Sequence, residues 1–129
     1  MAAALRAHAS GLFCLRAGVE LLIGHRRWLE RVDFLGRFVR LVPASAADSV
    51  LAVVAWRAAV RAVDTGRLSC SDSEAHVLRI AASIADGVLA DVGACLSTLD
   101  DTNVGLVVDA VRLASGRITV DAAGRAERP

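Results

Sequence analysis

Apolar positions recur with the period of an α-helix along almost the whole chain. Leu5, Leu12 and Val19 repeat every seven residues, and His8, Leu15, Leu22 and Leu29 form a second row three places on. Together they mark one apolar stripe and predict an amphipathic helix over 3–24, roughly 33 Å long at about 1.5 Å per residue. A second line along this helix, Ala7, Gly11, Cys14 and Gly18, holds only small side chains. A glycine in a helix interior costs about 1 kcal/mol relative to alanine, so two on one line predict that another backbone passes very close. A neighbouring helix, of this chain or of a second copy, meets that expectation.

The segment 25–40, HRRWLERVDFLGRFVR, follows. Read as a helix, it places Trp28, Val32, Leu35, Val39 and Val42 on one face and Arg26, Glu30, Asp33, Arg37 and Arg40 on the other. Arg26–Glu30 and Asp33–Arg37 are then opposite charges four residues apart, worth a few tenths of a kcal/mol each. Asp33 can instead cap a shorter helix over 34–41 that follows a turn, and Pro43 ends the helix in either case.

After a short linker at 44–47, the run 50–63 reads as the most hydrophobic helix. It is apolar all round except for an edge of Arg57, Arg61 and Asp64, which predicts a place at the centre of the core. Thr65-Gly66 stops it. Ser71-Asp72-Ser73-Glu74 is a capping box opening a helix that turns Val77, Ile80, Ala81 and Ile84 inward and ends at Asp86-Gly87. A short helix is expected near 90–97. A second cap at Asp100–Asn103 opens the last helix, with Val104, Val107, Val108, Val111 and Ala114 as its expected inner face. Ser115-Gly116 closes that helix, and Ile118-Thr119-Val120 reads as a short extended piece. The predicted fold is all-α: one compact bundle of five to seven helices over 1–121, with a flexible polar tail at 122–129. The length of 129 residues suits one domain, which at this size needs no metal or disulfide to hold it.

Composition adds one expectation about partners. Hydrophobic residues make up 55% of the chain but aromatics only 4%, so the core is built from Ala, Val and Leu. A chain this apolar is expected to cover surplus surface with a second copy or another protein. All fifteen basic residues are arginine, a bias that points to a GC-rich genome. The net charge of +1 argues against nucleic-acid binding by bulk charge. The charge is divided, with a balance of +5 over 1–69, −6 over 70–110 and +2 beyond, and internal neutralisation is the favoured reading. Cys14, Cys70 and Cys95 are scattered, without a C-x-x-C pair, as expected of a reduced cytoplasmic protein. Arg6, His8, Arg16 and Glu20 interrupt the N-terminal apolar run, which argues against an export signal. No apolar stretch reaches eighteen residues, so no membrane span is expected.

Motifs for catalysis are missing. The three histidines form no HExxH or H-x₃-H pattern, and no G-x-S-x-G, S-x-x-K or P-loop occurs. His8 reads as a core or interface histidine, His25 as a donor at a helix end, His76 as a solvated side chain, and Asp100-Asp101 as caps. No catalytic residue, metal site or cofactor is therefore expected. The tandem helices 72–86, 90–97 and 101–115 have helix-turn-helix order. Their recognition helix, however, would show Asp101, Thr102, Asn103, Gly105 and Asp109 to the DNA, the wrong charge for displacing counterions. The better candidate for phosphate or nucleic-acid contact is Arg26, Arg27, Arg31, Arg37 and Arg40 beside Trp28, although a solvated helix face with internal ion pairs is favoured over it.

The runs VELLIGHRRWLER, SCSDSEAHVLRIAASIADG and LSTLDDTNVGLVVDAVRLASG, about two fifths of the chain, resemble a group of short, uncharacterised actinobacterial helical proteins. The resemblance implies a compact cytoplasmic helical protein and transfers no activity or site. The expected function is a non-catalytic interaction protein, either a homodimer or a small accessory subunit, with Ala7, Gly11, Cys14 and Gly18 at the interface. The second reading is a nucleic-acid-binding or transcription-associated regulator that uses the 26–40 arginines.

Overall fold

The structure, a computed structural model, describes residues 1–45 and 49–116 and the backbone of 119–120 and 126–127. Seven α-helices account for most of it: α1 (Ala2–His8), α2 (Phe13–His25), α3 (Val32–Phe38), α4 (Trp56–Asp64), α5 (Asp72–Asp86), α6 (Val92–Leu96) and α7 (Asp101–Ala114). Strands β1 (Val39–Pro43) and β2 (Val50–Val54) form an antiparallel ribbon between α3 and α4, and β3 (Thr119–Val120) pairs with β4 (Ala126–Glu127). The expected extended piece is thus a strand at Thr119 and Val120. Ile118 and the remainder of the 122–129 tail lie outside the described residues.

The fold is mostly helical but carries a small sheet, which corrects the all-α expectation. The run 50–63 is not one helix. Val50–Val54 is a strand paired with Val39–Pro43, with Pro43 opposite Val50, and only Trp56–Asp64 is helical. Val50, Val53 and Val54 are β-branched and fit a pleated ribbon better than a helix. Burial along β2 alternates, with Ala52 and Val54 buried and Leu51 and Val53 half-buried, whereas an unbroken apolar run has no sequence period to show this.

The helix expected over 3–24 is broken as well. Gly11 adopts φ +81°, and α1 turns back to pack against β2. Arg6 of α1 and Arg16 of α2 both donate to the carboxylate of Glu20. In a continuous helix Arg6 and Glu20 would stand about 21 Å apart, so this pair exists only because the chain reverses.

The 25–40 segment becomes three pieces. Helix α2 stops where Arg26 takes a left-handed φ of +74°, a 3₁₀ turn covers Trp28–Glu30, and α3 runs into β1. No face of Trp28, Val32, Leu35, Val39 and Val42 forms, and Val32 is 87% exposed. Trp28, Phe34 and Phe38 are buried instead, with ring centroids 5.2 and 5.8 Å apart in succession. The shorter helix expected over 34–41 begins earlier, at Val32, and ends earlier, at Phe38.

Helix α2 packs against both α5 and α7, which also touch each other. A Cβ on Gly18 would fall 2.5 Å from Ala85 Cβ and 2.7 Å from the Ala81 carbonyl oxygen, so α5 approaches at backbone distance. A Cβ on Gly24 would fall 2.8 Å from a Leu106 methyl of α7. The capping signals hold. Ser71 accepts from Glu74 N while the Glu74 carboxylate accepts from Ser71 N, and Gly87 ends α5 with φ +68°. Asp91 and Asp100 cap α6 and α7.

Candidate interaction surfaces

The expected small-residue seam is not a single line on this fold. Ala7 is exposed on α1, and Cys14 is exposed at the start of α2. Gly11 lies in the turn between them, where no described atom stands within 4 Å of the place a Cβ would take. Gly18 alone is buried, against α5 of the same chain.

The five arginines of 26–40 are likewise dispersed. Arg26 lies 3.7 Å from the Glu30 carboxylate, both largely exposed. Arg31 pairs with Asp33 at 2.7 Å, donates to the Ser69 carbonyl at 2.7 Å and lies over the Trp28 ring. That pairing replaces the expected Asp33–Arg37 contact and raises the Arg31 pKa while lowering that of Asp33, through the hydrogen bond they share. Arg37 donates to the Arg67 carbonyl at 3.2 Å and covers the Phe38 ring. Arg27 and Arg40 are exposed and form no ion pair among the described residues.

Titratable groups are separated by the packing. His25 is half-buried at the end of α2, and its Nδ1 has no hydrogen-bond partner among the described residues. Burial pushes its pKa below the usual histidine value, against the opposing fields of Glu74 and Asp100 and with Arg27 adding to the fall. The His76 ring meets Thr98 Oγ1 at 2.6 Å. Glu20 is engaged by Arg6 and Arg16. Cys14 is exposed, Cys70 half-buried and Cys95 buried, and burial raises the thiol pKa of the last two. Among the described residues no three His, Cys, Asp or Glu side chains gather as a metal would require, and no helix is long and apolar enough to cross a membrane.

Two features escaped the sequence reading. On α7 the buried row is Val107, Ala110 and Leu113, while Val104, Val108 and Val111 face outward at 36%, 44% and 55% exposure. The apolar pattern of this helix is wide enough to centre its inner face on either row, and its packing against α2 and α5 decides. Phe13, itself exposed, lies against Gly116 just past the end of α7 and adds apolar surface there. The second feature is a depression of about 330 Å³ lined by Arg37 together with Arg61 and Arg67, which lie well beyond it in sequence.

Comparison with protein-family models, with curated proteins and with solved structures returned no match.

Proposed function

We propose that this chain is a non-catalytic interaction protein, a homodimer or a small accessory subunit, which docks through the outer face of α7. The observation that carries this reading is the Val104–Val108–Val111 row, spaced four and three residues apart on the solvent side of a helix whose other face is already packed. That spacing is the one by which a helix lies along a partner helix or in an apolar groove. Each valine covered by a partner contributes up to about 1.5 kcal/mol.

A nucleic-acid reader built on Arg26, Arg27, Arg31, Arg37 and Arg40 draws less support. Glu30 and Asp33 stand beside Arg26 and Arg31, so part of that charge is already neutralised.

Sedimentation equilibrium at micromolar concentration, followed by intact-mass measurement of the complex recovered from the native host, tests the proposal. The wild type should exceed its monomer mass of 13.5 kDa, alone or with a bound protein. A Val108→Asp/Val111→Asp variant with unchanged helicity should sediment as a bare monomer. A wild-type chain that is monomeric and retains no partner removes the reading.

A further inference from the structure

The depression between α3, α4 and the turn after α4 brings together three arginines that the sequence keeps apart. Arg37 sits in the last turn of α3 and Arg61 in the last turn of α4. Arg67 follows Gly66, whose φ of +74° turns the chain back toward α3. Phe38, Ala58 and Ala62 supply the apolar part of the lining.

The charge here is unbalanced. Arg6, Arg16, Arg26, Arg31, Arg57 and Arg79 each have a carboxylate within ion-pair distance. Among the described residues Arg37, Arg61 and Arg67 have none, and no acidic side chain lines the depression. Asp64, one turn from Arg61, is engaged at 2.7 Å by Arg79 of α5. The Arg37 guanidinium is held in place, 5.0 Å from the Phe38 ring centroid and bonded to the Arg67 carbonyl.

We propose that this depression binds a small phosphate monoester, with Arg37, Arg61 and Arg67 on the phosphoryl oxygens and the organic body against Phe38, Ala58 and Ala62. Guanidinium forks match phosphate oxygens in pairs, and a dianion supplies the countercharge that these three side chains lack. The volume of about 330 Å³ lies at the lower end of small-molecule sites, enough for a phosphoryl group and a compact ring. A nucleic-acid strand needs a longer track of charge, and Arg26 and Arg31, which could extend one, stand beside Glu30 and Asp33. The site does not depend on the outer face of α7.

The test is a titration of the full ¹⁵N-labelled chain with adenosine 5′-monophosphate, reading the arginine Nε–H resonances. Inorganic phosphate, adenosine and a single-stranded oligonucleotide serve as parallel probes. Saturable shifts with the nucleotide, weaker ones with inorganic phosphate and none with adenosine are expected. Arg61→Gln and Arg67→Gln should each weaken nucleotide binding about tenfold, equivalent to about 1.4 kcal/mol. Arg57→Gln, which removes a residue paired with Asp86, should leave it unchanged. All three positions are exposed, and a thermal melt establishes that the variants fold. Absence of saturable shifts at millimolar nucleotide, or shifts that survive the Arg61→Gln/Arg67→Gln double change, would overturn the proposal. So would equal affinity for inorganic phosphate, which would leave the apolar lining no role, or tighter binding of the oligonucleotide with steep salt dependence.

Discussion

Gly18 of α2 meets Ala85 of α5 with no room for a side chain between them: a methyl group on Gly18 would fall 2.5 Å from the Ala85 Cβ. The Ala81 carbonyl oxygen, one turn earlier on α5, would be met at 2.7 Å, and backbone does not yield as the end of a long side chain does. Gly18→Ala should therefore destabilise the fold by about 2 kcal/mol, despite the better helix propensity of alanine. Urea denaturation checks this. The loss should be the same at low and high protein concentration, because the crowded contact lies within one chain.

Gly11 offers the opposite kind of test. No described atom lies within 4 Å of where its Cβ would be, so space is not at issue; its φ of +81° is. Gly11→Ala should cost about 1 kcal/mol through backbone strain alone. In a continuous helix over 3–24 the same change would stabilise by a similar amount. The sign of the change in urea midpoint therefore reports directly on the turn between α1 and α2.

Trp28 Nε1 donates to the Glu74 carbonyl at 2.9 Å, joining the 3₁₀ turn to the first turn of α5. Trp28→Phe keeps most of the buried ring but removes this hydrogen bond between the two elements. A loss of about 1–3 kcal/mol is expected, from the combined desolvation and volume change. Ser71→Ala, which removes the cap on the same helix end, should cost about 1 kcal/mol. Denaturation of the double variant would show a combined loss that departs from the sum, since both changes act on one turn.

His25 sets a pH dependence. Its pKa is lowered from 6.5 by burial, so the folded chain binds this proton more weakly than the unfolded chain does. Stability attached to His25 is complete above pH 6.5 and is lost as the pH falls through its depressed folded value. Glu74, whose pKa is lowered by the Ser71 backbone hydrogen bond, acts in a separate window, below its ordinary 4.5. Urea midpoints measured from pH 8 down to about 5 should fall for the wild type and stay flatter for His25→Gln.

The sequence by itself determined the parts of this protein governed by short-range chemistry. The Ser71–Glu74 capping box, the Asp100 cap and the Gly87 stop place α5 and α7 to within a residue or two, because each signal satisfies its own helix end with its own side chains. Tertiary structure decided what short-range chemistry leaves degenerate. The apolar run at 50–54 is compatible with helix or strand until Val39–Pro43 lies alongside it. The close approach marked by Gly18 could belong to any neighbour until α5 occupies it. The valines of α7 fill two adjacent stripes, and its packing against α2 and α5 selects Val107 for the core and leaves Val104, Val108 and Val111 outside. The meeting of Arg37, Arg61 and Arg67 has no trace in their spacing, because it is set by the packing of α3 on α4 and the left-handed turn at Gly66. Pattern reports how a segment is amphipathic, whereas the partner that covers it is a property of the folded chain.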